Sequence, residues 1–395
     1  MKKLFLIMLA GVFAFTLSAQ TEAEKKGPYQ FEMVKDIPST SVKNQASSGT
    51  CWSFAGIAQL ESDLLRTGKG EYDLSEMWIV RYTYFNKAVK YARMHGKIEF
   101  SAGGATHDVF NVIEEYGIVP EEVYTGLNYG SDLHRHGELD AVLKAYMDAV
   151  LKQRNLSTAW QEGVNGILDA YLGKVPEKFM YKGKEYTPKS FAASLGLNME
   201  DYITFTSYTH HPFYSQFVLE IPDNWAWGIS WNVPMEDMMT VLDYSLDKGY
   251  SVNWGADVSE NGFQYAKGYA VVPTTKPEDM SGSERAKWDS MTPRERMSIA
   301  SAATEPITEM KITQEMRQKA FDNWETTDDH GMLFTGVAKD QTGAKYYYVK
   351  NSWDTNQLYG GYFYASVPFV EYKTMNITVH KDAIPKEIKK KMGIK

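Results

Sequence analysis

An α+β fold is predicted by three features of this 395-residue chain. Segments with helical periodicity fill the first half, and short runs rich in Val, Tyr and Phe fill the second. The two kinds do not alternate as they would around a parallel sheet. The composition is globular, with 43% hydrophobic and 23% charged residues, too apolar for a disordered chain. The length admits several domains or one enlarged one, and no internal repeat or low-complexity tract divides it.

The elements follow in order. Lys2 and Lys3 precede an uncharged run from Leu4 to Leu17, closed by Ser18-Ala19-Gln20. A basic start, an apolar core and a small-residue end read as a secretory signal peptide, residues 1–19. That run is shorter than the roughly 20 residues needed to span a bilayer, and no later segment is long and apolar enough. The mature protein is therefore expected to be exported, periplasmic or extracellular, without a membrane span. Residues 20–34 read as a polar linker.

Cys51 to Arg66 carries no charge before Glu61 and reads as a helix buried on nearly all sides. A second helix is expected over His107–Tyr116, closed by Gly117 in the left-handed conformation. Leu139 to Leu151 and Trp160 to Leu172 repeat apolar residues at helical spacing, an αα-hairpin with Thr158 and Gln161 as a capping box. Strands are expected at Gln216–Ile221, Ser251–Ala256, Met332–Val337, Lys345–Lys350 and Gly361–Val367, with a turn at Asp340–Gly343. Pro273 to Arg296 reads as an exposed polar excursion. The boundaries are a helical half at 35–125, a helical insertion at 126–195, a β-rich half at 196–380 and a tail at 381–395.

The formal charge of −8, from 42 basic and 50 acidic side chains, argues against nucleic acid as the partner, since phosphate neutralisation needs a basic face. Cys51 is the single cysteine, so no internal disulfide can form although export would permit one. By itself a lone Cys is most simply a small buried hydrophobe. Its neighbours say otherwise. Asn44-Gln45-Ala46-Ser47-Ser48-Gly49-Thr50-Cys51-Trp52-Ser53-Phe54 places a glycine turn before a helix, with the thiol in the first turn. The helix's positive end favours a thiolate and is expected to lower the thiol pKa. The Cys51 N–H lacks an intrahelical acceptor, and with the Gln45 side chain it can receive an oxyanion.

A thiol nucleophile needs a base. His95, His107, His134, His136 and His380 have no partner motif nearby, and His210-His211 shows no third ligand that would make it a metal site. His330 opens one strand and Asn351-Ser352-Trp353 follows the next, so pairing brings them together although they are 21 residues apart. The Asn351 oxygen is expected to accept the imidazole Nδ1–H and fix the ring, with Trp353 shielding that bond.

Gly49-Thr50-Cys51-Trp52-Ser53-Phe54 with Gln45, then Asp329-His330-Gly331, then Asn351-Ser352-Trp353, resemble the papain-type cysteine peptidases. Leu74-Ser75-Glu76, Ser101-Ala102-Gly103-Gly104 and Tyr116-Gly117-Ile118-Val119-Pro120-Glu121 support the likeness, which spans roughly residues 35 to 370. The resemblance implies a papain-like fold with catalytic Cys51, His330, Asn351 and Gln45, and a cleft in which Gly103 and Gly104 meet the substrate backbone. It implies peptide substrates and no metal or organic cofactor.

Cys51 and His330 stand 279 positions apart, against about 130–150 in papain. Ser101 replaces a usual disulfide cysteine, and no sizeable prosegment precedes Gln45. These departures are similar to the bleomycin hydrolase and aminopeptidase C branch, which would make the protein an aminopeptidase and allow a homo-oligomer. In that branch the C-terminal arm occupies the cleft, so the basic tail Pro385–Lys395 is expected there, its terminal carboxylate pairing with the substrate's α-amine. The alternatives are an endopeptidase with an open cleft and a non-catalytic exported binding module. The preceding Asp329 would raise the His330 pKa if its carboxylate turned toward the ring.

Overall fold

The computed structural model describes residues 28–274, 282–290 and 303–394. The signal-peptide expectation lies outside them, as does most of the Pro273–Arg296 excursion, of which Gly282–Ser290 is a helix. No described helix is long and apolar enough to cross a membrane.

The helical half is built around α1 (Cys51–Arg66), buried without interruption from Trp52 to Leu64. Two helices pack on it, α2 (Glu76–Arg93) and α3 (Thr106–Tyr116). The sequence reading singled out the first and third and missed α2, whose buried Trp78, Arg81, Tyr84, Ala88 and Tyr91 do follow helical spacing. Gly117 ends α3 at φ 79°, ψ −162°, a positive φ but not the left-handed helical basin expected. A side chain there would strike the Pro188 backbone at 2.3 Å.

The insertion is the expected hairpin, α4 (Gly137–Val150) and α5 (Ala159–Leu172). Thr158 makes no side-chain cap bond, so the capping box is not formed. Leu139, Leu143, Met147, Val164 and Leu168 share one core with α1 to α3, and Arg81 of α2 binds Asn165 and Asp169 of α5. The insertion thus thickens the helical half rather than forming a second body. The short hairpin β2 (Phe179–Tyr181) and β3 (Lys184–Tyr186) follows, then α6 (Pro188–Leu195).

The other half is one eleven-stranded sheet. Its strands are β1 (Phe31–Asp36), β4 (Tyr202–Thr206), β5 (Ser215–Val218), β6 (Ile229–Asn232), β7 (Val252–Ala256), β8 (Phe263–Gln264) and β9 (Tyr269–Ala270). They continue with β10 (His330–Asp340), β11 (Lys345–Lys350), β12 (Tyr362–Ser366) and β13 (Thr374–His380). The order is β5-β6-β4-β13-β7-β10-β11-β12-β9-β8, with β1 paired antiparallel to the far end of β10. The expected linker is therefore shorter than residues 20–34, because Phe31 already enters the sheet. The turn at Asp340–Gly343 joins β10 to β11 as expected, closed by Gly343 N–H to Asp340 O at 3.0 Å.

Alternation along the strands separates the sheet's two faces. Val252, Trp254, Ala256, Ile377 and Val379 face one core with α7 (Met235–Asp247). Asn253 faces the opposite way, its Oδ1 accepting from Thr106 of α3, and Gln59 of α1 donates to the Thr378 backbone O. The chain ends on α7's face. Past α8 (Gly282–Ser290), α9 (Gln314–Asp322) and α10 (Val367–Lys373), α11 (Lys386–Met392) buries Ile388 and Met392 in that core. Lys391 pairs with Asp237 of α7 at 2.9 Å, and Ile394 N–H turns back to Lys389 O.

The tail is therefore not an arm in the cleft, which lies across the sheet. Ile388 and Met392, four positions apart on α11, take a hydrophobic seat that the run of lysines had hidden. Deleting Lys386–Lys395 is expected to cost roughly 3–6 kcal/mol of stability, two buried apolar side chains' worth. Chemical denaturation measures that loss. A change in substrate preference without loss of stability would contradict the placement.

Candidate active site

Cys51 opens α1, after Gly49 at φ 68°. A Cβ on Gly49 would stand 2.8 Å from Ala102 Cβ, so glycine lets the turn approach the Ser101–Gly104 segment. Trp52 Nε1 donates to Ala102 O at 3.0 Å and pins that segment to the helix. The Cys51 side chain is partly exposed in a cleft lined also by Trp52, Gly104, Thr106, Asp223, Asn253, Asp328, His330 and Gly331. The strand beginning at His330 rests on α1's first turn, where a Gly331 Cβ would lie 3.1 Å from Trp52 Cα.

His330 and Asn351 meet as the spacing requires. The bond runs from His330 Nε2 to Asn351 Oδ1 at 2.7 Å, not from Nδ1 as expected. Asn351 Oδ1 also accepts the Ser352 N–H at 2.7 Å, so that oxygen is fixed as an acceptor and Nε2 carries the proton. Nδ1 is left as the basic nitrogen. Trp353 covers the imidazole at 4.4 Å between ring centroids, itself boxed by Phe263 and Tyr265.

Gln45 is buried and doubly held. Its N–H donates to Ser352 O at 2.9 Å, and its Oε1 accepts from Ser352 Oγ at 2.6 Å. With the amide oxygen occupied, the NH₂ end is left to donate. Gly104 lines the same groove and Gly103 adjoins it: a Gly104 Cβ would strike Trp52 at 2.8 Å, and a Gly103 Cβ would meet Asp223 Oδ1 at 1.9 Å.

The site's electrostatics differ from the expectation. Burial pushes the Cys51 thiol up to about 12. The Gly331 and Trp52 N–H groups oppose this, while the Asp223 and Asp328 carboxylates add to it. Burial likewise pushes His330 down to about 4, against small raising effects of Asn351 and Asp329. The helix terminus acts in the expected direction, but desolvation and two carboxylates outweigh it. Both shifts favour the uncharged forms of thiol and imidazole. One proton transfer makes an ion pair whose mutual attraction offsets part of the desolvation.

Asp329 does not turn to the ring. Its carboxylate accepts from Ser259 N–H, Val258 N–H and Thr327 Oγ1, bonds that lower its pKa despite burial. Below it Lys373 pairs with Asp257 and Glu260 at 3.2 and 3.1 Å. Asp257 also accepts the Thr327 N–H, so this buried cluster anchors the loop that delivers His330.

Three groups escaped the sequence reading. Lys87, fully buried on α2, donates to Ser101 O and Gly103 O and holds the Ser101–Gly104 segment. Its signal was a cation inside an apolar helical stripe. Asp223 gave none, because only long-range packing brings it to the cleft, while Asp328 arrives there two residues ahead of His330. Among the other histidines, His134 and His136 are driven down to about 4 and about 3 by burial, as core residues. His210 and His211 do gain a third neighbour, Glu220, which accepts from both rings at 3.1 and 2.9 Å. The three could hold a cation, though they are surface groups already satisfied by one another.

A model of the Peptidase C1-like family matches residues 6–284 and 297–394. Aminopeptidase C of Streptococcus thermophilus is 23% identical over 93% of this chain and 85% of its own length. Aminopeptidase G of Lactobacillus delbrueckii subsp. lactis is 22% identical over 89% and 83%. The crystal structure of PepW from Lactobacillus rhamnosis HN001 superposes with a TM-score of 0.65 at 20% identity, covering 92% of this chain and 84% of that one. That likeness supports a papain-like α+β fold over the 92% of the chain it covers.

Proposed function

The chain belongs to the Peptidase C1-like family, and from that premise we propose that it is an exported cysteine aminopeptidase releasing residues from peptide N-termini. The observation that carries the chemistry is the His330–Asn351 bond beneath Trp353, in the same cleft as Cys51. The names of its relatives support the exopeptidase reading, and the Lys2 to Ala19 pattern supports export.

The reaction divides into two transfers. His330 Nδ1 takes the Cys51 proton as the sulfur attacks the scissile carbonyl carbon. The oxyanion is received by the Cys51 N–H and the free NH₂ end of Gln45. His330 returns the proton to the departing amine, leaving a thioester. Water then attacks that carbonyl, giving its proton to His330, and the thiolate leaves and is reprotonated. Asn351 keeps Nε2 protonated and the ring in plane throughout.

Gln45→Ala should lower kcat by roughly 10²–10³-fold with little change in KM, the usual loss for one oxyanion donor. Steady-state kinetics decide this, and an unchanged kcat removes Gln45 from the reaction. The main test compares peptides with free and acetylated amino termini, the free amine being preferred. One observation favours an open-cleft endopeptidase: α11 lies off the cleft. Equal cleavage of both peptides would establish that reading instead.

A further inference from the structure

With the C-terminus seated on the opposite face of the sheet, another group must mark the end of the cleft. We propose that Asp223, seconded by Asp328, is the binding site for the substrate's α-ammonium group and ends the cleft after the first residues of the peptide. This rests on the aminopeptidase reading and adds the group that enforces it.

Asp223 belongs to a turn built to hold it in place. Asn224 Nδ2 donates to Leu219 O and Gly228 O, and its Oδ1 accepts the Gly228 N–H at 2.7 Å. The neighbouring Trp225 is buried and donates through Nε1 to Asp108 Oδ2 of α3 at 3.0 Å. This clamp sets the Asp223 carboxylate directly over Gly103, where even a methyl group would meet Oδ1 at 1.9 Å. In that position the carboxylate narrows the groove beside Gly103. The obstruction is itself an anion.

The charges fit one kind of occupant. Among the described residues, neither Asp223 nor Asp328 has a hydrogen bond or ion pair, yet both line the cleft beside Cys51 and His330. Lys87 is the cation nearest by charge, but its ammonium is committed to Ser101 O and Gly103 O. Glu99, Asp108 and Asp329 add further negative potential. Burial, followed by these like charges against Lys87, lifts Asp223 to about 6, and burial with Asp223 and Asp329 lifts Asp328 well above its usual range. Half-buried carboxylates without partners beside the thiol suit a compact cation with several donors, which an α-ammonium supplies and an acetylated amine does not.

A second consequence follows. Both carboxylates oppose ionisation of Cys51, so an ammonium seated between them removes that opposition as the substrate arrives.

The experiment uses wild-type enzyme, Asp223→Asn and Asp328→Asn, assayed by kcat/KM on one peptide with its amino terminus free and acetylated. Alkylation of Cys51 by neutral iodoacetamide reports folding and thiol ionisation. Wild type should prefer the free amine. Asp223→Asn should cut the ratio of free to acetylated cleavage by about 10–100-fold, and Asp328→Asn should cut it less. Both variants should alkylate at full stoichiometry and faster than wild type. In wild type the preference should fade as pH drops through about 6, where Asp223 takes up its proton. A wild type without preference for the free amine overturns the aminopeptidase reading. A selective wild type whose ratio survives Asp223→Asn, with Cys51 still fully labelled, overturns the assignment of Asp223 alone.

Discussion

Cys51→Ala is expected to leave a folded protein whose turnover falls by on the order of 10⁴-fold or more, the scale seen when a covalent nucleophile is removed. The fold should survive for a specific reason. α1 is fixed by the unbroken burial of Trp52 to Leu64 and not by the thiol, which lies partly exposed at the helix start. Alanine is also the best helix former. Thermal unfolding should place the variant within about 1 kcal/mol of wild type, since a small substitution at a partly open site creates no cavity. Turnover near the wild-type rate would remove Cys51 from the chemistry.

His330→Ala should lower kcat by roughly 10³–10⁴-fold, at the upper end for loss of a general base. The reason lies in the pair. Burial holds the Cys51 thiol near 12, so without a proton acceptor in the cleft almost no thiolate forms near neutrality. The same variant should therefore alkylate slowly, separating loss of the base from loss of the fold.

The sign of the pH dependence follows from His330. Its pKa is depressed to about 4, so the imidazole becomes able to accept a proton as pH rises through that value. The acid limb of kcat/KM on an acetylated peptide, which avoids the Asp223 site, should fall below the ordinary histidine value of about 6.5. Asp329→Asn should barely move that limb, because its carboxylate is spent on Ser259, Val258 and Thr327. A large shift would show that Asp329 reaches the ring.

What the sequence made legible was what short-range rules determine. Cys51–Arg66 and Lys345–Lys350 fall on the expected residues because one is a long uncharged run after a glycine turn and the other a tyrosine-rich strand before Asn351. The His330–Asn351 meeting was readable because a hairpin turn at Asp340–Gly343 sets the register of the two strands. The nitrogen that makes the bond was not readable, since ring orientation depends on Trp353 and on Ser352's claim to the same oxygen. Long-range placement was the other failure. The resemblance implied an arm of the basic tail in the cleft, while Ile388 and Met392, four positions apart, were the signal for a helix docked on α7. Asp223 sits in a Pro-Asp-Asn turn that reads as ordinary surface, and only its clamp to Asp108 through Trp225 brings it over Gly103. The thiol's ionisation was misjudged for the same reason: the helix start is local, but the burial and the carboxylates that outweigh it are not.

The central claim is that this cleft works through a thioester on Cys51, and trapping that adduct tests it most directly. Enzyme mixed with a slowly deacylating ester of a free-amine amino acid, quenched in acid during turnover, should show by mass spectrometry an acyl group on the peptide containing Cys51. As the chain's single cysteine, it gives the adduct one thiol to occupy. Cys51→Ala should show neither adduct nor turnover. Steady turnover by wild type with an unmodified Cys51 peptide, or an acyl group on another residue, would contradict the account.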